Sequence, residues 1–476
     1  MPKQAYEFNV VGGEYKSVSS TVNNQECVNF YVNIDKENGK PLSLLPTPGC
    51  KEWLSVDGNA GEVRALSQIT DELLAFVIRD TIYITNSSKV ITTITPALST
   101  TSGQIIISSD FLNYCTILDK TINRLYVLNL LTFTITLVAL PIGVQASSLT
   151  YQDSIWIISN KDSDYFYMSE IGDPYTYTAL RYKSAEYSGD KIIAIVSDYE
   201  ELCIFGSKTI EFFQNTGNTD TVFESIHGSS QEVGLAGADA FTSVNSSLFF
   251  LDSQGFPRVS TEYRANFLNQ GQIAFQMSKL NTINDCFLFN YVYQGHVFVV
   301  FTFPTENKTW VYDVTTGIWH RRSSYPYGTD GRWRANCYAF FNRKHLIGDY
   351  DNGKIYELDF ETFTENSEAM AALRRCPVIS FNGRTAITHN SLEFNIQSGV
   401  GIETGQGNDP QIMMRYSDDN GRTFSNELWE SLGKIGEFSH RVIWNRLGRA
   451  VEREYEIKIT DPINRVITGG FLNGKY

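Results

Sequence analysis

Helical periodicity is almost absent from this chain of 476 residues. That absence argues against bundles and α/β layers, which need apolar stripes at a 3.6-residue period. No apolar run is long enough to span a bilayer, so membrane insertion by a helix is not expected. The opening Met1-Pro2-Lys3-Gln4-Ala5-Tyr6-Glu7 has no apolar core of the kind a signal peptide carries. No CxxC pair occurs. The seven cysteines (Cys27, Cys50, Cys115, Cys203, Cys286, Cys337, Cys376) are dispersed and odd in number. They read as reduced, mostly buried small side chains of a protein made in a cytosol. The sequons at Asn86, Asn245 and Asn307 are then chance matches.

The usual signatures of chemistry are missing too. His227, His296, His320, His345, His389 and His440 stand apart, and no Cys completes a zinc pattern. Gly12-Gly13 is not followed by a GxGxxG motif, the Gly399 to Gly407 stretch has no Lys-Ser/Thr sequel, and no GxSxG elbow occurs. The expectation is no catalytic residue, no metal and no cofactor. Positive charge is also in deficit: 39 Lys and Arg against 53 Asp and Glu give a formal net charge of −14. A chain of that sign is poorly suited to wrapping nucleic acid by phosphate neutralisation, although DNA could slide past it.

What is abundant is aromatic: 30 Phe and 26 Tyr against 6 Met. Rings pack well on pleated, half-buried surfaces, so strands are favoured. Short β-branched or aromatic stretches broken by Asn, Asp, Gly and Ser run nearly end to end, as in Ile155-Trp156-Ile157-Ile158 before Ser159-Asn160-Lys161-Asp162. A unit of strand, turn, strand and hairpin recurs seven times. The copies run from Ala65 to Thr95, Ile106 to Leu140, Ser148 to Leu180, Ile192 to Ile226, Ala240 to Leu268, Cys286 to Arg322 and Cys337 to Phe363. A period of roughly 40 to 50 residues is the size of a four-stranded propeller blade. In the sixth copy, Trp310-Val311-Tyr312-Asp313-Val314-Thr315-Thr316-Gly317-Ile318-Trp319 reads as the outer hairpin of a kelch-type blade. The fold expected is all-β: a propeller of six or seven blades with an antiparallel, sandwich-like C-terminal domain. An extended array of β-sandwiches is the alternative.

The expected divisions are 1–60, N-terminal strands that close the propeller or dock to neighbours; 61–366, the propeller; 367–376, a helical linker; and 377–476, the C-terminal β-domain. Closure is assigned to the strand around Val28-Asn29-Phe30-Tyr31-Val32. The linker rests on Ser367 to Arg375, where Ala369, Met370, Ala371, Ala372 and Leu373 read as a turn or two of helix. Beyond it, Leu392, Phe394 and Ile396 alternate with polar residues, as do Tyr455, Ile457 and Ile459. Strict alternation predicts strands with one wet face.

Two groups of residues stand out there. Ser417-Asp418-Asp419-Asn420-Gly421-Arg422-Thr423-Phe424 matches an Asp box, Ser-x-Asp-x-Gly-x-Thr-aromatic. Its bland reading is a hairpin turn: the Asp419 carboxylate accepts turn N–H groups with Ser417 and Thr423 beside it, Gly421 supplies a positive φ, and Phe424 packs beneath. Its sharp reading is a sialidase, which carries several boxes on a propeller. Only one box is evident here, and it lies outside the repeats. The second group is basic: Arg441, Arg446, Arg449 and Arg453. A solvated, charge-protected edge strand is the bland reading, and a face that docks an acidic neighbouring subunit is the sharp one.

The stretch from Arg415 to Asn426, with Leu432-Gly433-Lys434-Ile435-Gly436-Glu437, Arg441-Val442-Ile443-Trp444-Asn445-Arg446-Leu447-Gly448-Arg449 and Ile459-Thr460-Asp461-Pro462, resembles a known family. It is the packaged-DNA stabilisation proteins of short-tailed phages, also called tail accessory factors, tail hubs or nozzles. Glu26-Cys27-Val28-Asn29-Phe30-Tyr31-Val32 and Leu44-Leu45-Pro46-Thr47-Pro48-Gly49 are similar to the same family. The resemblance implies a virion tail protein assembled in the bacterial host cytoplasm. It also implies a six-fold ring of copies below portal and adaptor proteins, extending the DNA channel, helping to retain the genome, and supporting a fibre, spike or needle. Duplex DNA would pass without sequence recognition, and the net acidity fits a channel wall that does not grip it. The alternative from another class is a carbohydrate-active or glycan-binding propeller of the sialidase kind.

Overall fold

A computed structural model of the chain describes residues 4–17, 19, 23–35, 42–56, 58–218, 222–268, 272–324, 328–380 and 385–475. Seven four-stranded antiparallel units follow one another along it. Six of them span 63–94, 105–137, 146–184, 192–225, 241–267 and 287–321. The seventh takes three strands from 335–359 and its outermost strand, Gly49–Ser55, from near the N-terminus. These units are the blades of a propeller, and they coincide with the seven repeats.

Hairpin chemistry explains the regularity. Asp153-Ser154, Asn245-Ser246, Glu262-Tyr263, Asn342-Arg343 and Asn366-Ser367 each place two successive residues at positive φ. Each pair closes a two-residue loop, as the register Gln152↔Ile155 and Phe341↔Lys344 shows. That is the type I′ geometry, whose twist matches the flanking strands. In blade six, Asp313 accepts from the Thr315 N–H at 3.0 Å and the Thr316 hydroxyl at 2.7 Å, and the Trp319 ring packs 4.9 Å from Tyr312. Neighbouring blades share apolar cores. Phe289, Phe298 and Val300 of blade six meet Trp333, Ile347 and Tyr356 of blade seven, and Leu358 and Cys50 lie in the same cluster. Each fully buried side chain of that size contributes about 1.5–3 kcal/mol.

Closure therefore falls to Gly49–Ser55, not to the strand around Val28. Gly49–Ser55 runs antiparallel to Lys354–Asp359, from Gly49↔Asp359 to Ser55↔Lys354. The earlier N-terminal strands serve the second unit. Phe30–Ile34 and Leu42–Pro46 form a hairpin in one sandwich sheet, followed by Ile467–Lys475, Ile387–Ile396 and Val442–Asn445, and Gln4–Phe8 pairs with Ile467–Lys475. The facing layer contains Asn24–Val28, Ala372–Arg375, Glu452–Ile459, Gln411–Ser417 and Leu428–Ser431. Between the layers lie Phe30, Val32, Leu44, Leu392, Phe394, Ile412, Met414, Trp444, Tyr455, Ile457 and Ile459.

The predicted helical linker is a correction. Asn366-Ser367 form a hairpin tip, Glu368–Ala369 is the return strand, and Ala372–Arg375 is a buried strand between Asn24–Val28 and Glu452–Ile459. The helix preference of Ala, Met and Leu is worth tenths of a kcal/mol per residue, less than two ladders of backbone bonds and four buried side chains. Among the described residues the α-helix is Gln272–Met277, between blades five and six. No helix among them is long and apolar enough to cross a membrane.

Candidate functional site: the junction of propeller and sandwich

The second sandwich layer does not end at the sandwich. Val28 pairs in parallel with Arg321 of the outer strand Ile318–Arg321, so blade six and the layer form one eleven-stranded sheet. Across that seam runs a chain of ion pairs. Arg321 meets Glu14 at 3.0 Å and Glu26 at 2.7 Å. Arg375 then holds Glu26 at 2.8 Å and Glu456 at 2.6 Å, and Arg415 holds the other Glu456 oxygen at 2.5 Å. Arg374, fully buried, donates to the Val10 and Gly13 carbonyls at 2.7 and 2.9 Å. Burial opposes the charge on Arg321, but Glu14, Glu26 and Asp330 outweigh it, and its pKa is raised. The same balance, with Glu26 and Glu456 as partners, raises that of Arg375.

Sequence reasoning missed this network because alternation marks Glu454 and Glu456 as a wet face. Both are buried, at 1% and 2% exposure. The available signal was the charge pattern: adjacent Arg374-Arg375 and the spaced acids Glu454 and Glu456.

A second buried knot sits where the ring closes. Arg322 donates to the Pro48 carbonyl at 2.8 Å and to Glu365 at 3.1 Å, and its guanidinium stacks 3.9 Å from the Trp333 ring. Glu365 also accepts from Trp333 Nε1 at 3.0 Å and from the Ser324 hydroxyl. These groups join the end of blade six, the entry to the closing strand and blade seven.

The Asp box lies in the connection between Gln411–Ser417 and Leu428–Ser431. Asp419 Oδ1 accepts from the Arg422 and Thr423 N–H groups at 3.0 and 2.8 Å, and Oδ2 from the Thr423 hydroxyl at 2.7 Å. Ser417 Oγ donates to Asp419 and accepts from the Gly421 N–H at 2.8 Å. Gly421 has φ 78°. Phe424 lies beneath the guanidinium groups of Arg415 and Arg375, at 4.3 and 5.0 Å. The arrangement is a self-contained turn. The Thr423 backbone and hydroxyl, with Ser417, hold the Asp419 carboxyl well below its ordinary value of 3.8. Its stabilising effect is therefore full above that ordinary value and is lost as pH falls through the lowered one. Asp419→Ala is expected to lower the unfolding midpoint of the full chain at pH 7 and to narrow that difference in strong acid. Urea titrations at both pH values check this.

The basic group is split by the fold. Arg441, Arg446 and Arg449 are exposed; Arg441 pairs with Glu393 at 2.6 Å and Arg449 donates to the Ala386 carbonyl at 3.1 Å. Arg453 does not belong with them. It is 2% exposed, bidentate to Asp418 at 2.6 and 2.7 Å, and lies over the Tyr416 ring at 3.9 Å. It cannot meet a neighbour, because the turn beside it takes its charge. Of the histidines, His296, His320 and His389 are buried. Burial holds His320 down at about 3 and His389 at about 4.

The propeller axis holds a cavity of about 800 Å³ lined by Glu62, Arg64, Asp239, Asp285 and Arg332 among others. Arg64 is spent on the Gly103, Arg79 and Thr100 carbonyls at 2.7–2.9 Å. Asp239 is paired with Lys120 at 2.9 Å, and Glu62 accepts from Asn336 at 3.0 Å. These charges brace the inner strands. Among the described residues no group of three or more His, Cys, Asp or Glu could hold a metal.

Comparison with known proteins agrees with this architecture. Residues 60–363 match the family model described as bacteriophage P22 Gp10, beta-propeller, and residues 374–474 match bacteriophage P22 Gp10, beta-sandwich. No curated protein sequence matches the chain. Solved structures to which the chain is similar include one titled streptogramin B lyase structure, at 11% identity over 65% of this chain and 98% of that one, with a TM-score of 0.46. The WD40 propeller domain of Doa1 is 14% identical over 65% and 97%, with a TM-score of 0.41. With both of its units matched, the chain belongs to the phage P22 Gp10 family of packaged-DNA stabilisation proteins, tail accessory proteins of short-tailed bacteriophages.

Proposed function

We propose that the chain is a tail hub or nozzle subunit: six copies form a ring below the portal and adaptor, extend the DNA channel and help retain the packaged genome. The observation that carries this reading is the match of both units to one structural phage family, over 60–363 and 374–474. The fused sheet supports it. A subunit that bears the pressure of a packed genome must not hinge between its parts, and eleven strands with buried ion pairs crossing the seam resist hinging. Exposed Arg441, Arg446 and Arg449 are the proposed contacts to an acidic neighbour, and a fibre, spike or needle is the further partner. The net charge of −14 suits a wall that lets duplex DNA move, because each phosphate neutralised by a fixed cation would have to be released during ejection. Particles assembled without this chain are expected to package DNA and then lose it. Nuclease sensitivity of the genome in such particles tests this, and a genome as protected as in complete virions would refute it.

A further inference from the structure

Large apolar side chains that face solvent are not spread evenly over this chain. Among the described residues the propeller exposes sixteen. Blades one, four, five, six and seven show one each: Val90, Tyr199, Phe267, Val292 and Phe340. The other eleven fall between residues 105 and 191, in blades two and three and the links that follow them. Single exposed residues are ordinary, but a concentration of this kind marks a contact surface.

The end of blade two shows how that surface is built. Loops 110–113 and 130–133 lie at the same end of the blade, tied by the Leu130 N–H donating to the Asn113 carbonyl at 2.8 Å. Asp110 Oδ1 accepts from the N–H groups of Leu112, Asn113 and Tyr114 at 2.8–2.9 Å. Asn129 Oδ1 accepts from those of Leu131 and Thr132 at 2.9 and 3.1 Å. Phe111 and Phe133 take left-handed conformations, with φ of 60° and 55°. Loops fixed in this way hold Leu112 and Leu131 out in water, at 73% and 76% exposure. Exposed acids Asp71 and Glu72 stand on the adjoining turn of blade one, which Ser109 Oγ joins by donating to the Ile69 carbonyl at 2.7 Å.

The sandwich carries a patch of its own. Loop 432–441, between Leu428–Ser431 and Val442–Asn445, exposes Ile435 and Phe438, the latter at 75%. Exposed Arg441 and Arg446 bracket the strand that follows. The sandwich joins the ring at blade six. Blades two and three are each three blades from blade six, the greatest separation a ring of seven allows, so the two patches lie on opposite sides of the propeller axis. Charge is divided in the same sense. Residues 60–363 hold 21 Lys and Arg against 32 Asp and Glu, a net −11, whereas 374–474 hold 12 of each. Propeller against propeller sets like charge on like; propeller against sandwich does not.

We propose, building on the ring reading above, that blades two and three of one copy pack against loop 432–441 of the next copy's sandwich. Two unlike patches on opposite sides of one subunit repeat head to tail and close when the rotation does, whereas a self-complementary contact stops at two copies.

The test is cross-linking with a short bis-maleimide in assembled particles. Six native cysteines are buried and Cys337 is half-buried, so the wild-type chain gives the background. Leu131→Cys combined with Phe438→Cys should give a ladder of covalent oligomers on a denaturing gel, and either change alone should give none. The last rung reads the ring order, so a wrong six-fold reading shows as a ladder that ends elsewhere while the contact stands. Absence of the wild-type chain from particles would remove the ring and this contact with it. Dimers from either single variant would mean that like faces meet like, and would overturn the proposal. So would a double variant that enters particles without forming a ladder. Leu112→Asp with Leu131→Asp should leave the unfolding midpoint of the free chain unchanged, because both side chains are already in water. The same pair should cut the copies per particle by about tenfold or more, and incorporation at the wild-type level would contradict the contact.

Discussion

Arg375→Ala should lower the stability of the full chain by about 3–5 kcal/mol, the usual consequence of deleting one partner of a buried ion pair. The side chain is 11% exposed and serves two acids: Glu26 through Nη1, and Glu456 through Nε and Nη2. Glu456 is 2% exposed and would keep only Arg415; the buried Glu454, two residues away, would lose the favourable charge of Arg375. The loss is therefore set less by the attraction removed than by carboxylates left dry and unpaired. Arg441→Ala is the control. Its pair with Glu393 is as short, 2.6 Å, but Arg441 is 68% exposed, and solvent screens such a pair, so its loss should barely move the unfolding midpoint. Urea midpoints of the two variants separate the readings, and equal effects would mean that the seam is not a buried network.

Glu365→Gln should be comparably costly, about 3–5 kcal/mol, although it changes shape very little. Arg322 is fully buried, and Glu365 is its carboxylate partner. The neutral amide leaves a buried guanidinium without a counter-charge. One amide end is also a donor, set against donors from Trp333 and Ser324. The damage falls where the ring is closed, since Arg322 also holds the Pro48 carbonyl just before Gly49–Ser55. Proteolysis should cut the variant first around residues 49–55, as the closing strand peels from Lys354–Asp359. Cleavage confined to other sites, or unchanged stability, would show that the apolar blade contacts alone close the ring.

Both knots were hidden from local pattern, and the reason is distance along the chain. The blades were legible because each is built from neighbours in sequence: the seven repeats, Trp310 to Trp319 and the alternation through Leu392, Phe394 and Ile396 report local pairings. The Asp box was legible because Ser417, Asp419 and Thr423 satisfy one another. By contrast, Asn24–Val28 finds its partner some 350 residues away in Ala372–Arg375, a pairing that no window of sequence contains. That is why Ser367 to Arg375 reads as helix in isolation and folds as hairpin and strand. It is also why Arg453 looks like surface charge until Asp418 is placed against it.

The central claim is architectural, so the most direct measurement is a reconstruction of the tail in intact virions at the layer beneath the portal and adaptor. The account predicts six copies of this chain in a closed ring around the DNA path, with Arg441, Arg446 and Arg449 at the contacts between copies and a mainly acidic or neutral wall facing the duplex. A different ring order at that layer, or a channel lined with arginine that binds DNA tightly at low salt, would contradict it.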